Sequence, residues 1–180
     1  SMRSMIGAAA LAVVLFTQGF GQSEHGNVPL EWQTAAERTG YKKTSRYEEA
    51  IEYARRMANA SPLIEYASIG NSGEGRDIPL LIAASNKAFT PDAARRQGKP
   101  IIFIQAGIHS GEIDGKDAGF ALLRDIAITG TKKHLLDNTV ILFVPIYSVD
   151  GHENWSPYGR INQNGPEEMG YRANATNLNL

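Results

Sequence analysis

The hydrophobic positions after residue 60 form short apolar runs separated by one helical stretch. Leu63 to Ile69 and Ile78 to Ala84 are rich in strand-forming residues and flank a glycine-containing turn, which predicts a hairpin. The continuous run IIFIQAG, beginning at Ile101, is typical of a strand covered on both faces. Asp114 to Ile128 has apolar residues at helical spacing, and Thr139 to Ile146 predicts a further buried strand.

The order of these elements predicts an α/β fold. Strand, helix and strand with short connections indicate a right-handed parallel crossover. Two further helices are expected earlier, at Pro29 to Arg38 and at Arg46 to Asn59. From Tyr147 to Leu180 there is little periodicity, and unstructured segments longer than about fifteen residues are usually functional or disordered. We therefore expect one soluble domain with an α/β sheet that contains a parallel crossover.

Charge and cysteine content exclude several kinds of partner and site. The formal net charge of the 180 residues is -1 and no basic stripe is present, so nucleic acid is not an expected partner. There are no cysteines, which rules out disulfides and thiolate metal sites. Any metal ion would have to be bound by His, Asp and Glu.

The first 21 residues have the composition of a secretory signal peptide. Ser1 resembles a cloning scar, Arg3 provides a positive start, and an apolar stretch from Met5 to Phe16 follows. Small residues at Gly19 and Gly21 predict cleavage after Gly21, so the mature domain would span 22–180. A buried N-terminal helix is the alternative. Without a cysteine a lipid anchor is not expected, and the protein is predicted to be secreted or periplasmic, with no membrane anchor after cleavage.

His109 and Glu112 follow directly on the predicted strand that begins at Ile101. Ligands of α/β sheets gather at the carboxyl ends of the parallel strands. Zinc accepts both imidazole nitrogen and carboxylate oxygen, so an HxxE turn in this place indicates a metal site. In the alternative interpretation, Glu112 is an acidic residue favoured by the helix dipole and His109 is a polar loop residue. Spacing alone leaves both open.

The next strand is followed by Asp150, His152 and Glu153 at the same expected rim of the sheet. His152 is a candidate for a further ligand, although an ordinary polar loop residue is the favoured interpretation. His134 is predicted to lie at the opposite edge of the sheet, too far away to contribute.

Three segments together resemble the zinc carboxypeptidases, the carboxypeptidase A-like family. AGIHSGEIDGKDAG resembles the family's first metal-binding motif. VPIYSVDGHE resembles its strand followed by Asn-Pro-Asp-Gly, with Ser148 and Val149 in place of Asn-Pro. YRANATNLNL resembles the segment in which an arginine precedes a motif of the type Asp-Leu-Asn-Arg. The resemblance covers roughly Glu65 to Leu180.

The resemblance implies an α/β fold with a mixed, mostly parallel sheet flanked by helices, incomplete at the C-terminus. It also implies roles for individual residues. His109 and Glu112 would bind one zinc ion, and Arg172 would be the catalytic arginine that polarises the scissile carbonyl. Asn179 would stand where the family usually has an aspartate that orients the zinc-bound histidine. In the family the remaining zinc ligand and the general-base glutamate come later in the chain. We therefore expect an N-terminal part of a longer hydrolase, which by itself binds zinc weakly and hydrolyses nothing.

The implied function is that of an exported zinc metallocarboxypeptidase acting on peptides or cell-wall peptides. An amidase or deacylase acting on acyl-amino acids, and a non-catalytic exported binding module, remain alternatives. The loop from Ser156 to Arg172 is expected either to line the substrate cleft or to be solvated. Four of its residues are candidates for contacts with a peptide backbone: Tyr158, Arg160, Asn162 and Asn164.

Overall fold

The computed structural model describes residues 28–160 and 164–180, so the predicted signal peptide at 1–21 lies outside the described residues. The described helices are α1 Ala35–Arg38, α2 Tyr47–Ala60, α3 Pro91–Arg96, α4 Asp114–Ala127 and α5 Val149–Glu153, with short 3-10 turns at Leu30–Trp32 and Lys133–Leu136. The strands are β1 Ile64–Asn71, β2 Asp77–Ala83, β3 Ile101–Gln105 and β4 Val140–Val144. Among the described helices, none is long and apolar enough to cross a membrane.

The four strands form one mixed sheet in the order β1-β2-β4-β3. β1 and β2 form the predicted antiparallel hairpin, and β2 pairs antiparallel with β4. β3 and β4 are parallel and are joined through α4, as the crossover prediction requires. The predicted mixed α/β fold is confirmed. Among the described residues the sheet contains fewer parallel strand pairs than expected, because two of its three pairs are antiparallel.

The main core lies where α2 and α4 pack against the sheet. Phe120 of α4 makes edge-to-face contacts with Tyr53 of α2 and Phe143 of β4, at centroid distances of 5.4 and 5.7 Å. Gly119 lies directly over Phe143, where an added Cβ would be 2.1 Å from the ring. A glycine is needed here because it lets α4 approach β4 this closely.

A buried ion pair joins the N-terminal segment to α4. Arg124 is fully buried, and its guanidinium lies 2.6 Å from Glu37 of α1. Glu37 also completes a capping box with Thr34, whose side chain accepts from the Glu37 N–H. The continuous helix predicted from Pro29 to Arg38 is therefore wrong, since Thr34 begins a separate helix. The segment after Tyr147, predicted as loop, also contains the short helix α5.

β3 departs most from the sequence prediction. It lies at the end of the sheet, and Ile101, Ile102 and Phe103 are 46%, 45% and 56% exposed. Successive side chains of a strand point to opposite faces, so neither face of β3 is fully covered by the described residues. The expectation of a strand covered on both faces is wrong for this part of the molecule, because β4 supplies its one pairing partner among the described strands.

Candidate metal site

The segments that follow β3 and β4 run side by side beyond the sheet. The Ala106 N–H donates to Val144, the Tyr147 N–H to Ala106 and the Ser148 N–H to Gly107, at 2.9 to 3.0 Å. Gly107 has a positive φ of 61°, and an added Cβ would be 3.2 Å from the Ile146 backbone. The two loops that carry the candidate residues therefore share one rim of the sheet, as predicted.

The turn that contains His109 and Glu112 is fixed at both ends. The Glu112 N–H donates to the His109 carbonyl at 2.9 Å, which closes the turn just before α4. Between them, the buried Ser110 hydroxyl donates to the Ser148 carbonyl at 2.6 Å. This bond attaches the turn to the segment after β4, so the geometry of the rim is set by packing rather than by the turn alone.

His109 and Glu112 face each other in a geometry that suits two ligands of one zinc ion. His109 Nδ1 lies 3.2 Å from Glu112 Oε1. Zinc binds such atoms at about 2.0–2.2 Å with tetrahedral angles, which places neighbouring ligand atoms about 3.4 Å apart. The observed separation is within a few tenths of an ångström of that value. The separation of these two atoms therefore fits two ligands of one zinc ion, and Glu112 Oε1 also accepts from Arg160 and faces Arg172.

Arg172 lies beside this pair, so the structure brings all three predicted site residues together. Its Nη2 is 3.0 Å from His109 Nε2, and its Nη1 is 3.5 Å from Glu112 Oε1. Its Nε donates to Asn179 Oδ1 at 3.0 Å, while His109 Nε2 faces the Leu180 carbonyl at 3.1 Å. Asn179, which stands where the family usually has an aspartate that orients the histidine, accepts a hydrogen bond from Arg172 in this structure.

The roles of the two His109 ring nitrogens depend on which of them carries the proton. With the proton on Nδ1, the ring donates to Glu112 and its Nε2 accepts from Arg172. If Nδ1 held a metal, the proton would be on Nε2, which faces the Leu180 carbonyl.

The loop residues that are candidates for contacts with a peptide backbone lie in different surroundings. Tyr158 is 86% exposed, whereas the Arg160 side chain is turned inward and its Nη2 donates to Glu112 Oε1 at 3.0 Å. This hydrogen bond, with a smaller effect of His109, lowers the pKa of Glu112. Asn164 lines a different cavity of about 470 Å³, and Asn162 lies outside the described residues.

The structure places His152 inside the protein, in α5, so the favoured interpretation as an ordinary polar loop residue is wrong. It is 1% exposed, its Nδ1 lies 2.8 Å from Glu153, and its Nε2 accepts from the Lys116 ammonium at 3.1 Å. Burial lowers the pKa of His152 to about 4 and that of Lys116 to about 8. Both ring nitrogens are occupied inside the protein, which leaves no lone pair for an ion at the rim.

Asp150 is a structural residue that the sequence showed only as part of a turn. Its carboxylate accepts from the Ser72 hydroxyl, the Glu74 N–H and the Arg76 guanidinium at 2.7, 3.1 and 2.8 Å. Burial alone would raise the pKa of Asp150, but these hydrogen bonds lower it below the usual value. The residue fixes the loop of the β1–β2 hairpin to α5. Among the described residues, no group of three or more His, Cys, Asp or Glu side chains is placed to hold a metal ion, so His109 and Glu112 form a pair without a third such ligand in this part of the chain.

The comparisons with known proteins decide the family. The model of the zinc carboxypeptidase family matches residues 50–179. The chain belongs to this family. The relatives include the inactive metallocarboxypeptidase ecm14 of Schizosaccharomyces pombe, 29% identical over 78% of this chain and 29% of its own length. A probable carboxypeptidase 2 of Trichophyton verrucosum is 31% identical over 55% of this chain and 19% of its own length.

Solved structures support the same fold. Carboxypeptidase A from Helicoverpa armigera aligns with a TM-score of 0.56 at 22% identity, covering 74% of this chain and 29% of that enzyme. A carboxypeptidase A from Shewanella denitrificans aligns with a TM-score of 0.52 at 23% identity, covering 74% and 30%. The chain therefore spans less than a third of the length of these zinc carboxypeptidase relatives.

Proposed function

We propose that this chain provides part of the active site of an exported zinc metallocarboxypeptidase. In this proposal His109 and Glu112 supply two of the ligands of one zinc ion. The observation that carries it is the 3.2 Å separation of His109 Nδ1 and Glu112 Oε1 at the rim of the sheet. The family match over residues 50–179 supports the same metal.

Arg172 is proposed to bind the carbonyl oxygen of the scissile peptide bond. Its guanidinium is always charged and presents several donors in a fixed fork, which suits an oxygen on which negative charge develops. Its Nη1 lies 3.5 Å from Oε1 of Glu112, a proposed metal ligand, which supports a role for this charge beside the metal site. Zinc, when bound, lowers the pKa of a coordinated water and polarises carbonyl groups.

Asn179 is proposed to hold Arg172 in position for this task. The Asn179 amide oxygen accepts from Arg172 Nε at 3.0 Å, and the two terminal nitrogens, which face His109 and Glu112, are the donors proposed for a substrate oxygen. An amide in place of a carboxylate adds no negative charge beside the arginine, so the full positive charge of Arg172 faces the site.

The proposed function also includes a substrate and a location for the protein. A peptide with a free C-terminus, including a cell-wall peptide, is the substrate expected for a carboxypeptidase. The composition of residues 1–21 supports export to the periplasm or the medium. Since the chain spans 29% of the length of a curated relative, we propose that the activity requires further residues of a longer polypeptide.

The test compares zinc-loaded protein with matched peptides. In the polypeptide that carries this chain together with its downstream residues, release of the C-terminal amino acid is measured for a peptide with a free carboxylate and for the same peptide amidated. We expect hydrolysis of the free form, lost in His109→Ala and reduced by about two to three orders of magnitude in Arg172→Ala. Cleavage of acyl-amino acids in place of peptides would instead support an amidase or deacylase.

A non-catalytic binding module is the second candidate function. The observation that favours it is that a relative of this chain is named inactive. Zinc binding and peptide binding without release of any amino acid, in the polypeptide with its downstream residues, would support the module and contradict the enzyme.

A further inference from the structure

We propose that Arg160 is a positioning residue for Glu112 and thereby sets the affinity of the metal site. The inference rests on the proposed function, because it takes Glu112 as a metal ligand. The observations behind it are the contact of Arg160 with the carboxylate, the burial of its side chain, and the glycine across which it lies.

Arg160 makes the shorter of the two arginine contacts with the Glu112 carboxylate. Its Nη2 is 3.0 Å from Oε1, against 3.5 Å for Arg172 Nη1. The Arg160 side chain is 15% exposed, whereas those of Glu112 and Arg172 are 47% and 42% exposed. A half-exposed glutamate is free to change rotamer, so its direction here depends on the buried guanidinium that holds it.

Gly111 provides the space for this arrangement. A Cβ added at Gly111 would lie 2.7 Å from Arg160 Cγ and 3.0 Å from its Cδ, and also 2.9 Å from the Gly170 carbonyl. The aliphatic part of the Arg160 side chain therefore crosses the turn between the two proposed ligands at Gly111, the one position of the turn that has no side chain. Any larger residue at position 111 would push the guanidinium away from Glu112.

The chemistry of the carboxylate allows Arg160 and a metal ion to share it. An ionised carboxylate has about four lone-pair sites on its two oxygens. Arg160, Arg172 and His109 all contact Oε1, so an ion would share that oxygen with Arg160 or bind Oε2. Hydrogen bonds that orient metal ligands typically change metal affinity by about 10–100-fold. Since Arg160 is already buried beside the turn, its ordering is complete before the metal arrives, and Glu112 is held towards His109 in advance.

The experiment is a titration with Zn²⁺ alone, followed by NMR of the histidine rings, which detects weak binding. We expect Arg160→Ala to weaken His109-dependent zinc binding about 10-fold or more. Arg160→Lys should lose less zinc affinity than Arg160→Ala, because lysine keeps the positive charge but lacks the planar, forked guanidinium. Tyr158→Ala, in the same loop and exposed to solvent, is the matched control and should bind zinc like the wild type.

A double-mutant cycle distinguishes loss of the contact between Arg160 and Glu112 from a general destabilisation of the fold. Gly111→Ala should weaken zinc binding as Arg160→Ala does, and the double variant should be no weaker than either, because both changes remove the same contact. The free energy of unfolding of Arg160→Ala should stay close to that of the wild type. Additive losses of zinc affinity would show that Gly111 acts through the Gly170 carbonyl instead. That result would contradict the premise that both changes remove the contact between Arg160 and Glu112.

Two failures can be told apart. If Arg160→Ala binds zinc as tightly as the wild type, or more tightly because the guanidinium competes with the ion, the inference is wrong while the proposed function stands. If the wild type shows no His109-dependent binding of zinc, the proposed function and this inference fail together.

Discussion

His152 makes folding stability sensitive to mild acid, and the size of the effect can be worked out from its surroundings. The ring is buried and faces Lys116 of α4, Glu153 beside it, and Arg46 before α2. Burial and the nearby Lys116 charge lower its pKa from 6.5 to about 4 in the folded protein. The folded state therefore keeps the ring neutral at pH values where the unfolded chain already binds a proton.

The sign and the magnitude follow from proton linkage. Above pH 6.5 the ring is neutral in both states and its contribution to stability is complete. As the pH falls from 6.5 towards 4 the unfolded chain binds the proton first, and below about 4 there is no further loss. Between pH 7 and pH 5 the loss amounts to about 2 kcal/mol.

The assay is urea unfolding followed by circular dichroism at pH 7 and pH 5, with His152→Gln as the reference. Glutamine offers one donor for Glu153 and one acceptor for Lys116 but does not titrate in this range. We expect the wild type to lose about 2 kcal/mol more than the variant on acidification. Equal losses, or an NMR titration that gives His152 a pKa near 6.5, would refute the reasoning.

Three further substitutions test the packing of the scaffold. Gly119→Ala should lower the free energy of unfolding by about 2–3 kcal/mol, because its methyl group would overlap Phe143. Thermal denaturation measures this loss, and an unchanged Tm would contradict the close approach of α4 to β4. Arg124→Ala should cost about 3–5 kcal/mol, since it leaves Glu37 without its buried partner; Glu37 and Arg124 replaced together should cost less than this single change. Asp150→Asn should cost about 1–3 kcal/mol in urea unfolding, and a neutral result would show that the hairpin loop is held by other contacts.

Local patterns in the sequence predicted the parts of the fold that depend on neighbours in the chain. The hairpin, α4 and the parallel pair of β3 and β4 follow from the spacing of apolar residues within each segment. The place of His109 and Glu112 followed from their position after a strand, because the carboxyl ends of parallel strands meet at one rim.

Contacts between distant segments could not be predicted in this way. Arg160 and Glu112 are 48 residues apart, and Lys116 and His152 are 36 apart. Their pairing depends on how the loops pack, which apolar periodicity does not encode. The exposure of β3 could not be predicted for a similar reason. Its apolar sequence suits a strand covered on both faces, but it does not show which part of a polypeptide would cover it.

Zinc titration with residue-specific detection tests the central claim most directly. The ring signals of the histidines are followed by NMR while Zn²⁺ is added to the wild type and to Glu112→Gln. We predict that His109 shifts alone among His109, His134 and His152, and that the shift needs a much higher zinc concentration in Glu112→Gln. A shift of His152 or His134 with His109 unchanged, or a His109 shift indifferent to Glu112, would contradict the assignment of the two ligands.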